Sequence, residues 1–129
     1  LAEVGEREPE YHYELGFCLE QIGRADEALR EYEKALGLDP DHAGATFRLA
    51  AHYAFLDEND KALQDFDEAL RLNPDYVQSL WGRAQIYDAV RKDYRRALGD
   101  YERAYKLDPE RTKRFLPRIE ELRRTVGGK

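Results

Sequence analysis

One ten-residue phrase occurs three times in this chain: EYEKALGLDP at 31–40, DFDEALRLNP at 65–74 and DYERAYKLDP at 100–109. A repeated phrase constrains the fold more than any composition does, because each copy must adopt the same local structure and pack against its neighbours. Aligned on Pro40, Pro74 and Pro109, the copies are 34 and 35 residues apart. The pairs Ala28-Leu29, Ala62-Leu63 and Ala97-Leu98 keep those spacings, as do Ala35, Ala69 and Ala104. Upstream, Gly16, Ala50 and Ala84 are 34 apart in both steps. The extra residue of the third copy therefore lies between Tyr87 and Ala97, in the turn near Arg91.

Within each copy the apolar period is helical. In the second, Phe47, Leu49, Ala50, Tyr53 and Leu56 precede the polar break DEND. Ala62, Leu63, Phe66, Ala69, Leu70 and Leu72 then follow at steps of three and four. Each copy is thus a helical pair: 9–22 with 25–38, 43–56 with 59–72, and 77–90 with 93–107. The Asp-Pro or Asn-Pro pair stops the second helix of each, since proline pushes the residue before it out of helical geometry. Pro9 marks the start of the first helix, where a missing N–H costs nothing. Small residues at 16, 50 and 84 permit close helix approach, and Tyr32, Phe66 and Tyr101 fill the space between. One pair cannot bury its apolar face alone, whereas a stack of three can. Phe115, Ile119, Leu122 and Val126 predict a seventh helix over 112–126 that caps the stack, beginning or kinking at Pro117. The segment 1–8 reads as a flank and 127–129 as a disordered tail.

Composition excludes several classes. A chain 42% hydrophobic and 37% charged is too apolar for disorder and too charged for a membrane span. No signal segment opens it, so a cytoplasmic setting is expected. It begins at Leu1 and lacks methionine, and we read it as a piece of a longer protein. The net charge is −6, with +4 on residues 110–129 and −10 on the rest. An acidic body disfavours nucleic acid as the main partner. Arg114, Arg118, Arg123 and Arg124 on the last helix read as a solvated cap. One cysteine, Cys18, rules out an internal disulfide and is expected to pack as a small apolar side chain. His12, His42 and His52 fall at different repeat positions and are read as structural. No nucleophile–base pair, phosphate loop or ligand cluster is present in the sequence, so neither an enzyme nor a bound cofactor is expected.

The period and the residues Leu15, Gly16, Ala28, Tyr32, Ala35, Pro40, then Leu49, Ala50, Tyr53, Ala62, Phe66, Ala69, Pro74, then Ala84, Tyr87, Ala97, Tyr101, Ala104, Pro109 resemble the tetratricopeptide repeat. His12, Thr46 and Leu80 stand where that family has tryptophan, and Arg83 where it has leucine. The resemblance implies an all-α, right-handed α-solenoid of three antiparallel helix pairs plus a capping helix. Repeats would occupy 9–42, 43–76 and 77–111. It also implies a concave groove lined by the first helices, which places Tyr13, Phe17, Glu20, Phe47, Arg48, Ala51, Phe55, Trp81, Gln85 and Asp88 on the inner face.

Tyr13, Phe47 and Trp81 are one repeat apart and are read as a stripe surplus to the core. The expected partner-binding set is Tyr13, Phe17, Phe47, Arg48, Phe55, Trp81 and Gln85. The function expected is a non-catalytic scaffold that binds a protein or peptide segment; the alternative is a module for self-association or for docking within a longer parent. Some family members grip a peptide carboxylate with lysine and asparagine. The matching positions here are Tyr13, Phe17, Arg48, Gln78 and Gly82, with one cation among them, which disfavours that mode. Arg83 in a helix seam needs a carboxylate, and Asp100 and Asp65 are the expected partners.

Overall fold

The computed structural model describes residues 7–127. Helix α1 spans Pro9–Gln21, α2 Ala25–Leu38, α3 Ala43–Phe55 and α4 Asn59–Leu72. Helix α5 spans Val77–Ile86 and α6 Tyr94–Leu107; a short turn of helix, α7 (Pro109–Thr112), and the last helix, α8 (Leu116–Gly127), follow. Consecutive helices pair antiparallel as α1/α2, α3/α4 and α5/α6, and the pairs stack into a right-handed solenoid. The described residues contain no strand. No helix among them is long and apolar enough to cross a membrane.

Helix α2 shows why these segments are helical. Ala28, Tyr32 and Ala35 are buried at steps of four and three, and Asp26 and Glu27 complement the positive end of the helix dipole. Its end is written chemically: Asp39 takes extended geometry, and its carboxylate accepts from the Asp41 backbone N–H at 3.1 Å. Asn73 does the same for Asp75, and Asp108 accepts from Arg111 N–H. Pro40 and Pro74 thus sit in the same turn, whereas Asp108 caps a short helix that Pro109 opens.

The core crosses each junction between pairs. Tyr32 packs with Ala28, Ala35, Ala45 and Leu49; Phe66 with Phe47, Ala50, Ala62 and Ile86; Tyr101 with Ala84, Phe115, Ile119 and Leu122. Burying Ile119 and Leu122 completely gives the cap about 1.5–3 kcal/mol of hydrophobic stabilisation each.

The structure revises the seventh helix. The segment 112–126 is not one helix: Lys113–Phe115 form a 3-10 turn, and Pro117 lies in the opening turn of α8, where its missing N–H is harmless. Gly127 ends α8, so of the expected tail only 128–129 lie outside the described residues, as do 1–6 of the expected flank. The inserted residue of the third repeat is absorbed by a π-helical turn, Tyr87–Arg91, continuous with α5. Widening the ring from i+4 to i+5 bonding accommodates one residue without breaking the helix.

Arg83 is paired, with one partner other than expected. Its Nε and Nη2 donate to the two oxygens of Asp100 at 2.8 and 2.9 Å, and Nη1 donates to Asp67, not Asp65, at 2.9 Å. The bonds it donates to Asp100, and then the one to Asp67, raise the guanidinium above its ordinary range against the pull of burial. Asp65 occupies the repeat position of Asp100, but Leu49 stands where Arg83 would face it. Burial pushes its carboxyl above the usual range, and the charge of Glu68 adds to this. A carboxyl raised on folding penalises the fold once ionised. The penalty is absent below the usual carboxylate range, near pH 4, and grows as pH rises through the raised value. Asp65→Asn is expected to raise neutral-pH stability, with the gain vanishing in acid. Urea unfolding at several pH values checks this, and a gain that grows as pH falls would contradict it.

Candidate functional site on the first-helix face

Helices α1, α3 and α5 present one face of the stack, and three depressions open on it. The first, of about 340 Å³, is lined by Tyr13, Glu14, Phe17, Cys18 and Arg48. The second, of about 370 Å³, lies between α3 and α5 and holds Phe47, Ala51, Ala54, Trp81, Gly82, Gln85, Ile86 and Val90, with Phe66 beneath and Asp57 at its rim. The third, of about 240 Å³, is bounded by Glu20, Ala25, Ala51, His52 and Phe55. The expected binding residues therefore divide: Tyr13, Phe17 and Arg48 in the first, Phe47, Trp81 and Gln85 in the second, and Phe55 in the third.

Their exposure is uneven. Phe55 is 85% exposed and Phe17 38%, whereas Phe47 is 7% exposed. Phe47 is thus a core residue and not surplus to the core. The reason lies in the stacking. The Tyr13 ring lies 4.7 Å from the His42 ring, Phe47 5.4 Å from Tyr76, and Trp81 under the Arg111 guanidinium at 5.4 Å. Residues 42, 76 and 111 share one repeat position, so the stripe clamps each repeat to the start of the next. Trp81 also meets Phe115 at 5.9 Å. Burial is the main cause pushing the Tyr76 hydroxyl up to about 12. Cys18, expected to be packed, is exposed.

Polar groups order the rest of the face. The Arg48 guanidinium lies over the Phe17 ring at 4.7 Å and within 3.8 Å of Glu20. Glu20 accepts the Tyr32 hydroxyl. In the third repeat Asp88 takes the same place: it accepts from Tyr101 at 3.4 Å and from Arg118 Nε at 2.8 Å. Two cations of α8 are engaged: Arg118 with Asp88 and Glu121, and Arg123 with Glu102. Arg114 stacks on Phe115 and Trp81. His42 caps α3, its Nδ1 accepting from Ala45 N–H at 3.0 Å while Nε2 meets Glu10 at 2.8 Å. His12 is buried against Glu31. No group of three His, Cys, Asp or Glu among the described residues is placed to hold a metal ion.

Sequence reasoning missed Ala54, Asp57, Ile86 and Val90, and weighed Gly82 only as a carboxylate-gripping position. The signal was available in the columns of the repeat: Ala54 stands where the other copies have Glu20 and Asp88, and Gly82 where they have Glu14 and Arg48.

A helical-pair solenoid with an open first-helix face defines a class of repeat scaffold. Tetratricopeptide repeat models match residues 9–42 and 47–112, and the chain belongs to that family. No curated protein sequence matches it. Among solved structures it is similar to the first repeat domain of Spaghetti (RPAP3) bound to the HSP90 peptide SRMEEVD, at 26% identity and a TM-score of 0.77 over 90% of this chain and 93% of that one. The NMR structure of the first such domain of human RPAP3 is also similar, at 26% identity and a TM-score of 0.77 over 91% and 93%. The repeat domain of Arabidopsis OM64, at 21% identity and a TM-score of 0.78 over 91% and 98%, shares the fold.

Proposed function

We propose that this chain is a non-catalytic interaction scaffold that holds a segment of a partner protein on its concave first-helix face. The observation that carries this is the exposed apolar surface there: Phe17 stands out of the fold in the depression it shares with Tyr13 and Arg48, and Phe55 in the one it shares with Ala51 and His52. Exposed aromatics beside such clefts are the usual anchors of binding surfaces. The similar RPAP3 domain bound to a peptide supports a peptide as the kind of partner. Its acidic peptide chemistry does not transfer. Of the positions that would face a carboxylate, Arg48 alone is cationic, and Glu20 and two rings already engage it.

A pull-down from the source lysate tests the reading. Phe17→Ser with Phe55→Ser is expected to abolish recovery of partners, since both side chains are exposed and their loss leaves the fold intact by circular dichroism. Lys34→Ser with Leu38→Ser, on α2, is expected to change nothing. Equal recovery by both double variants and wild type would remove the concave face from consideration. The second reading, self-association, draws on Tyr11, Ile22 and Leu38, which are exposed on the first pair. Sedimentation of the isolated chain decides it, because a concentration-dependent dimer sensitive to Ile22→Ser would favour that reading.

A further inference from the structure

We infer that the depression between α3 and α5 is a socket for one bulky apolar side chain of a partner segment that carries lysine or arginine beside it, with Asp57 as the counter-charge. The inference rests on the scaffold reading above and narrows it to one cleft and one ligand chemistry.

The socket arises from three coordinated differences between copies. In the first and third repeats a tyrosine hydroxyl, Tyr32 or Tyr101, donates to an acid, Glu20 or Asp88, and an arginine braces that acid. In the second repeat all these polar groups are missing together. Phe66 replaces the tyrosine, Ala54 the acid, and Gly82 stands one repeat after Arg48. A Cβ at Gly82 would come within 2.6 Å of the Phe66 ring, so glycine is required for the wall to sit this close. Where the first and third repeats set an ion pair in the groove, the second leaves an apolar hollow of about 370 Å³. That size is at the small end of clefts that take ligands. Leucine at 54 would fill it, yet alanine is there.

The rim supplies the charge argument. Positions 23, 57 and 92 are the left-handed residues that end the first helix of each pair: Gly23 at φ +83, Asp57 at +60 and Lys92 at +55. Glycine serves the first repeat without strain. Asp57 puts a carboxylate at the mouth of the socket, and no cation among the described residues reaches it. Neighbouring charges are matched: Glu58 with Lys61, Asp60 with Arg91, Arg48 with Glu20, Asp88 with Arg118. The other polar residues of the rim, Asn59, Gln78 and Gln85, are neutral. Among the residues that line the socket the unbalanced charge is therefore negative, Arg111 and Arg114 lying over the Trp81 ring without lining it, and the −10 carried by residues 1–109 draws basic segments toward it. On the opposite lip, the π turn carries half-exposed Val90 into the wall.

Trp81 is the single tryptophan and lines the socket, so its emission reports occupancy directly. The experiment pans a phage library of random twelve-residue peptides lacking tryptophan on the immobilised chain, then titrates synthetic copies of enriched peptides against Trp81 fluorescence. Enriched peptides are expected to pair a leucine, isoleucine or phenylalanine with an adjacent lysine or arginine and to shift the emission. Ala54→Leu and, as an exposed alternative, Gln85→Lys are expected to weaken binding about tenfold or more. Asp57→Asn, which keeps the left-handed turn, is expected to weaken it several-fold, with the difference shrinking in molar salt. Enrichment of acidic peptides, or binding lost with Phe17→Ala but unchanged by Ala54→Leu, Gln85→Lys and Asp57→Asn, overturns the socket while the scaffold reading stands. No enrichment over the bare support overturns both.

Discussion

Phe47→Ala is expected to lower the free energy of unfolding by about 3–4 kcal/mol. The ring is 7% exposed and packs between repeats, 6.0 Å from Phe66 and 5.4 Å from Tyr76. Ala50, Ala62 and Ala69 share its cluster. Neighbours this small cannot extend into the space left behind, so the cavity would persist and the cost would reach that of other phenylalanine-to-alanine changes in cores. Removing the ring also frees one of the two aromatic faces on which Arg48 rests. Urea unfolding followed by circular dichroism measures the effect, and a loss under about 1 kcal/mol would show that Phe47 is surplus after all. Any loss of partner binding by this variant is read only after folding is verified, which is why Phe17 and Phe55 are the better probes of the face.

Phe47 also shows where sequence reasoning stops. The helices and their order were legible because apolar period and the Asp-Pro or Asn-Pro stops act locally, within a few residues. The inserted residue was legible too, as a shift of one in the repeat count, although its π-turn form depends on how the widened turn packs. Which face of a first helix is core and which is groove was less so. Tyr13, Phe47 and Trp81 share one column, yet they touch residues 29 or 30 positions onward, His42, Tyr76 and Arg111, across a junction that no local pattern encodes. Arg83 illustrates the same limit. Its need for a carboxylate followed from chemistry alone, and Asp100 was correctly expected. A carboxylate from α4 was expected too, but as Asp65, which shares the repeat position of Asp100; the one that faces the guanidinium is Asp67, two residues further along the same helix. The socket was hidden for a different reason: it is made of absences, Ala54 and Gly82, which register only when the three copies are compared column by column.

The Arg83 network carries the other large effect. Asp100 is buried and receives two bonds from Arg83, which spans from α5 to α6 and, through Asp67, to α4. Asp100→Ala leaves the guanidinium in the seam with Asp67 and the Tyr87 ring, 5.8 Å away, as its remaining support. The expected cost is about 2–3 kcal/mol, below that of breaking a fully buried pair because Arg83 keeps a partner and some solvent contact. Arg83→Leu, which supplies the residue that Leu15 and Leu49 provide in the other copies, removes the charge that needed compensation but leaves Asp100 alone and buried. It should cost about 1 kcal/mol or less, since Asp65 is tolerated at the same repeat position with Leu49 and no arginine facing it. The double variant Arg83→Leu with Asp100→Leu should be as stable as wild type, within about 1 kcal/mol, because apolar packing replaces an ion pair of modest net worth. With Asp100→Leu as the second single variant the four proteins form a double-mutant cycle, and the predicted sign is definite: the double variant is more stable than Asp100→Leu alone. If it were instead less stable than either single variant, the pair would be a net source of stability and the seam would depend on charge rather than on filled volume.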